Sequence, residues 1–263
     1  MSVELNHRIT GEGAPLIVLH GLFGSMDNLG GIIRRLQDGW QVHALDQRNH
    51  GSSPHTETMD YPAMAADVIA YMDAQGLDKA ALLGHSMGGK TAMQVALMAP
   101  ERVTRVIVAD IAPVTYKPRH DAILEGLTSL DLSAVGTRQD ADRLLAEYVE
   151  MPPVRQFLLK NLVRVPEGEQ EPGKGLYRWR LNLSVIEASY PKLAQAPESD
   201  GTFNGPVLFL KGESSAYIQD KHWDDIRRLF PSAELQTIEG TGHWLHAEKP
   251  DAFEALCRAF LNQ

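Results

Sequence analysis

The sequence contains a single cysteine in 263 residues, so no internal disulfide can staple the chain and nothing asks for an oxidising compartment. That cysteine, Cys257, sits in AFEALCRAFL, whose apolar spacing is helical, and reads as a core residue. No apolar run approaches the roughly 20 residues of a membrane-spanning helix. The opening stretch, MSVELNHRIT, has no basic segment leading into an apolar one, so no secretory signal is read there. The cytoplasm is the expected location. Basic residues are also in the minority: 25 Lys and Arg face 34 Asp and Glu, for a formal net charge of −9. Phosphate neutralisation needs clustered Lys and Arg, so nucleic acid is disfavoured as a partner. No histidine-rich cluster has metal-ligand spacing, and neither a metal nor another cofactor is expected.

What is present is a rhythm of short apolar runs and longer helical patterns. PLIVLH (15–20), WQVHAL (40–45), KAALLG (79–84), RVIVAD (105–110), PVLFLK (206–211) and AELQTI (233–238) read as strands. Continuous apolar runs suit strands buried on both faces, and their alternation with helices predicts a mostly parallel sheet. Residues 2–10 are expected as an edge strand. Helices are expected at MDNLGGIIRRLQ, at YPAMAADVIAYMDAQGL with Gly76 as its C-terminal cap, and at KTAMQVALMAPERV. Between Thr115 and Asn204 no core strand is legible; QDADRLLAEYVE and PPVRQFLLKNLV read as helices, and PEGEQEPGKG after them reads as a polar loop. The economical division is a core of residues 1–115 and 205–263 with a helical cap inserted at 116–204. Ligands of open α/β sheets bind outside the carboxyl ends of the strands, where such an insertion would lie.

Three glycine-flanked turns carry the chemistry. Gly84-His85-Ser86-Met87-Gly88 matches G-x-S-x-G, with an apolar strand running into it and a helical pattern following without a gap. That context presents Ser86 as a nucleophile at a helix N-terminus, where free N–H groups favour an oxyanion. His20-Gly21-Leu22-Phe23-Gly24 follows PLIVL and can aim N–H groups at the same place: Leu22 and Met87 are the expected oxyanion donors, with Phe23 as the fallback for Leu22. Gly240-Thr241-Gly242-His243-Trp244 offers His243 as the base, with His246 as the competing imidazole. His50 and His222 read as surface or structural residues. The acid is less obvious. The turn after PVLFLK reads Gly212-Glu213-Ser214-Ser215, with Ser215 where an aspartate is usual. Asp110, ending RVIVAD beside the elbow strand, is the first candidate and Glu213 the second.

Six segments, HGLFGSMDNLG, DQRNHGSSP, MDYPAMAADV, LLGHSMGGK, DIAPV and TGHWLHAEKP, together resemble the YbfF-like esterases, a branch of the α/β-hydrolases. The resemblance spans most of the chain and is weakest around 120–200, where QFLLKN matches best. It implies the α/β-hydrolase fold, a small carboxylic ester or acyl thioester as substrate, and catalytic roles for Ser86, His243 and Asp110, with Ser215 near the histidine. The competing reaction on the same three residues is cofactor-free C–C bond hydrolysis or lysis. A binding protein that has kept the fold without turnover is the reading from a different class. Phe23, Phe157, Trp179 and Trp244 are candidates for the substrate pocket, with Leu158 beside them. The sequence sets neither acyl-chain length nor oligomeric state.

Overall fold

The computed structural model describes residues 1–170 and 175–263; the middle of the expected loop PEGEQEPGKG lies outside the described residues. The first five strands are β1 (His7–Thr10), β2 (Ala14–Leu19), β3 (Trp40–Leu45), β4 (Ala80–His85) and β5 (Val103–Ala109). The chain then leaves the sheet, forms a small separate hairpin, β6 (Leu162–Arg164) with β7 (Tyr177–Trp179), and returns as β8 (Val207–Gly212) and β9 (Ala233–Ile238). The main sheet runs β1-β3-β2-β4-β5-β8-β9, parallel throughout except for β1, which is antiparallel to β3.

Helices cover both faces, which is why the central strands are apolar on both sides. On one face α1 (Gly30–Leu36) and α10 (Pro250–Leu261) pack Ile32, Leu36, Phe253 and Phe260 against Leu16, Val18 and Leu83. Cys257 is fully buried there. On the other face α2 (Tyr61–Ala74), α3 (Met87–Met98) and α8 (Trp223–Leu229) pack Val68, Met93 and Ile226 against Ile17, Leu82 and Val108. Burying one such aliphatic side chain contributes roughly 1.5–3 kcal/mol. A short helix, α9 (Leu245–Glu248), precedes α10. The α2 helix ends as its sequence suggested: Gly76 takes φ 66°, its N–H donates to the Asp73 carbonyl, and the Leu77 N–H reaches back to Met72.

Between β5 and β8 lie α4 (Asp121–Ser129), α5 (Arg138–Leu145), α6 (Pro152–Leu159), the β6–β7 hairpin and α7 (Leu183–Leu193). Their inner faces form a third apolar cluster that includes Phe23, Met64 and Met87 of the sheet's carboxyl end. Several expected boundaries move. The helix read at PPVRQFLLKNLV stops at Leu159, because the Asn161 amide donates to the Leu158 and Phe23 carbonyls and Leu162 pairs with Trp179. The edge strand begins only at His7; before it, side chains take the backbone donors, Val3 N–H giving to Asp67 and Asn6 N–H to Ser53.

The loop after β3 is pinned by charge rather than by strand pairing. Asp46 accepts from the Met26 and Ser52 N–H groups and from the Asn6 amide, at 2.7–2.9 Å. Arg48 meets Asp67 of α2 in a two-pronged pair at 2.6 and 2.8 Å, with only 2% and 1% of the side chains exposed. Removing one member of such a pair strands its partner's charge. Asp67→Leu is therefore expected to lower stability by about 3–5 kcal/mol, read as the shift of the urea unfolding midpoint; an unmoved midpoint would contradict this account of the loop.

Candidate active site

The sheet's strand order reverses between β2 and β4, and the two loops leaving their carboxyl ends face each other there, as at the switch point of other open α/β sheets. β4 ends at His85 and α3 begins at Met87, leaving Ser86 alone to make the turn with φ 54° and ψ −119°. A non-glycine residue held there costs of order 1–3 kcal/mol. The turn is over-determined by its surroundings. Ser86 N–H donates to the Ala109 carbonyl at 2.9 Å, and a Cβ on Gly88 would sit 2.3 Å from the Leu19 carbonyl oxygen, so only glycine lets α3 start this close to β2.

His243 comes from the loop after β9. Its Nε2 lies 3.0 Å from Ser86 Oγ and its Nδ1 lies 2.7 Å from Asp110 Oδ2. A carboxylate can only accept, so Nδ1 carries the proton and the Nε2 lone pair faces the serine hydroxyl. Asp110 is wholly buried, with φ 55°. Its Oδ1 accepts from Gly212 N–H at 3.0 Å, and its Oδ2 also receives the Ser215 hydroxyl. The Tyr217 ring stacks on His243 at 4.2 Å, and His85 Nε2–H donates to the His243 carbonyl at 2.8 Å. The second acid candidate, Glu213, points elsewhere and accepts from the Gly240 N–H. His246 is buried against His85 and Phe253, and burial pushes its pKa down to about 4. It is His243, not His246, that meets Ser86.

Two buried histidines shape the turn after β2. His50 donates from Nδ1 to the Arg48 carbonyl, which leaves Nε2 to accept the Phe23 N–H at 3.1 Å. Burial lowers its pKa to about 3, keeping that acceptor free of a proton. The Phe23 N–H is thereby occupied, which removes it as an oxyanion donor. His20 likewise donates to the Gly21 carbonyl and accepts the Gln47 N–H. Among the described residues, neither the Leu22 nor the Met87 N–H has a protein acceptor, and both residues border Ser86. His50 and His222, read as surface or structural, are both buried, His50 in this structural role.

Ser86 opens onto two recesses. The larger, a cleft of about 510 Å³, is lined by Phe23, Phe157, Leu158 and Trp244, with the Phe157 and Trp244 rings 5.8 Å apart. Trp179 is not among its walls, which corrects the expectation for that residue. As part of the β6–β7 hairpin it borders a separate surface depression with His55 and Arg180. The narrower recess lies between Ser86, α7 and the segment after β5. It contains residues that the sequence reading passed over: Lys90, Tyr116, Arg119, His120 and Tyr190. Lys90 is 1% exposed and donates to the carbonyls of Val114, Ala194 and Gln195, tying α3 to both ends of the inserted segment. Burial lowers its pKa to about 7. A lysine at an inward position of the KTAMQVALM helix was the one available signal. The aromatic and arginine members gave none, since only folding brings them beside Ser86. Among the described residues, no group of His, Cys, Asp and Glu is arranged to hold a metal ion. No helix among them is long and apolar enough to cross a membrane.

Comparison with known proteins places the chain in one family. Residues 14–250 match the α/β-hydrolase fold family. The chain is 40% identical to the esterase YbfF of Escherichia coli (strain K12) over 252 residues, covering 95% of this chain and 94% of that protein. It is 43% identical to an sn-1-specific diacylglycerol lipase of Xenopus laevis over 254 residues, covering 93% of this chain and 79% of the lipase. A marine microorganism esterase of known structure superposes with a TM-score of 0.93 at 43% identity, covering 98% of this chain and all of that one. The chain belongs to the α/β-hydrolase family of serine hydrolases, in its YbfF-like esterase branch.

Proposed function

We propose that the chain hydrolyses small carboxylic esters or acyl thioesters through an acyl-enzyme on Ser86. The observation that carries this reading is the unbroken relay from Ser86 Oγ to His243 Nε2 at 3.0 Å and from His243 Nδ1 to Asp110 Oδ2 at 2.7 Å, opening onto the apolar cleft. His243 takes the Ser86 proton as the hydroxyl oxygen attacks the carbonyl. The oxygen that becomes negative is received by the Leu22 and Met87 N–H groups, helped by the N-terminus of α3. The proton on His243 then passes to the departing alcohol or thiol. Water, deprotonated by the same imidazole, attacks the acyl-enzyme and frees Ser86.

Asp110 is the triad acid in this reading. It holds the imidazole in the tautomer that leaves Nε2 free and offsets the positive charge formed during attack. Ser215 supports it through a hydrogen bond to the same carboxylate oxygen. Residues 116–204 act as a cap over the core formed by 1–115 and 205–263, and Phe157 and Trp244 bound the space for the acyl chain. The alternative of C–C bond cleavage has weaker support: its relative among solved structures, a meta-cleavage product hydrolase, shares 21% identity, a likeness of fold alone. The lone, buried Cys257 fits a reducing compartment such as the cytoplasm.

Three measurements test this. Ser86→Ala is expected to lower p-nitrophenyl ester turnover by about 10⁴–10⁶, and a fluorophosphonate probe should label Ser86 alone; an active Ser86→Ala protein would end the proposal. Asp110→Asn should cost about 10²–10⁴ in kcat, whereas Ser215→Ala should cost about tenfold, one neutral hydrogen bond being worth about 1 kcal/mol. Equal losses would show that the two side chains do not divide the work this way. Phe157→Ala should move the acyl-chain optimum towards longer esters, scored on a p-nitrophenyl ester series; an unshifted optimum would remove Phe157 from the acyl pocket.

A further inference from the structure

The narrower recess beside Ser86 differs in chemistry from the apolar cleft. Its basic members are Lys90, Lys117 and Arg119, and no Asp or Glu side chain lines it. Most of its polar atoms are already committed. The Tyr61 hydroxyl donates to the Leu193 carbonyl, and the Tyr116 hydroxyl to that of Tyr217. The Lys90 ammonium is shared among three carbonyls.

Two further polar groups are available to a ligand. The exposed Arg119 guanidinium lies over the rings of Tyr217 and Tyr116, 5.0 and 5.7 Å from their centroids, within reach of the Tyr217 hydroxyl, and makes no ion pair among the described residues. Tyr217 in turn stacks on His243, so this cation stands one ring away from the proposed base. The second group is His120 Nε2. The Tyr190 hydroxyl accepts the Arg119 and His120 backbone N–H groups at 2.9 and 3.0 Å, so its own proton goes to His120 Nδ1 at 2.8 Å. Nδ1 is then the acceptor, and the neutral ring carries its proton on Nε2. Burial holds the His120 pKa down at about 4, so the ring stays neutral around pH 7. His120 borders both recesses, and its Nε2 has no acceptor among the described residues.

We propose that this recess binds a carboxylate carried on one arm of the substrate, paired with the Arg119 guanidinium and receiving a hydrogen bond from His120 Nε2–H. The planar guanidinium matches a carboxylate with two parallel hydrogen bonds. The proposal rests on the ester-hydrolase reading above and narrows it to substrates with one apolar arm and one short, acidic arm.

The test compares kcat/KM for the hexanoyl ester of 4-hydroxybutanoic acid with that for butyl hexanoate, followed by acid release, using Ser86→Ala protein as the blank. The wild-type protein is expected to prefer the acidic ester. Arg119→Gln and His120→Phe should each lower that preference ratio, the first by about tenfold or more, as for a lost charge-assisted hydrogen bond. Arg119→Lys, which keeps the charge but not the fork, should lose less. Absence of a wild-type preference overturns the proposal, as does a ratio unmoved by Arg119→Gln. If the wild-type protein turns over neither ester and a fluorophosphonate leaves Ser86 unlabelled, the ester-hydrolase reading itself fails and this proposal falls with it.

Discussion

A carboxylate with no solvent contact is the constraint around which the site is organised. Asp110 is wholly buried at the end of β5, and an ionised group there must be compensated by donors drawn from the protein. Three converge on it from different segments: Gly212 N–H at the end of β8, the Ser215 hydroxyl and the His243 ring. Meeting that demand fixes where the loops after β8 and β9 lie. It also selects the imidazole tautomer that leaves Nε2 facing Ser86. The Tyr217 ring and the His85 hydrogen bond then hold the imidazole and its loop.

The other half of the site answers to backbone geometry. Ser86 keeps its positive φ because β5 holds its N–H and the glycine at 88 lets α3 start against β2. The β2 turn is shaped by two neutral histidines, and by occupying the Phe23 N–H, His50 leaves Leu22 and Met87 as the open donors. Buried imidazoles thus decide which backbone amides stay open.

The inserted segment divides the space above Ser86 into unlike halves. The aromatic pair Phe157 and Trp244 bounds an apolar cleft, while the Arg119 guanidinium gives the other side positive charge and His120 a hydrogen-bond donor. Lys90 also ties α3 to both ends of the insertion through three carbonyls, so the helix that begins at the nucleophile carries the anchor of the segment above it. An ester seated between these halves would be read for apolar bulk on one side and for charge on the other.

The sequence by itself determined what depends on neighbours along the chain. The apolar runs marked the core strands, and the glycines around Ser86 and His243 marked sharp turns, because strand burial and turn sterics are local demands. The family resemblance rested on the same local segments and pointed to the branch that the comparisons later showed. Tertiary structure decided what depends on distance in space. Asp110 and Glu213 were both acceptable by position, and only the packing of β5 beside β8 put one carboxylate against His243 and the other against Gly240. Trp179 read as readily as Phe157 for a pocket wall, until pairing with Leu162 turned it into a hairpin at the surface. Arg119, His120 and Tyr190 carry no motif at all. Their juxtaposition with Ser86 comes from folding α7 and the segment after β5 over the sheet, and the hydrogen bonds between Tyr190 and the 119–120 backbone exist only once that fold is made.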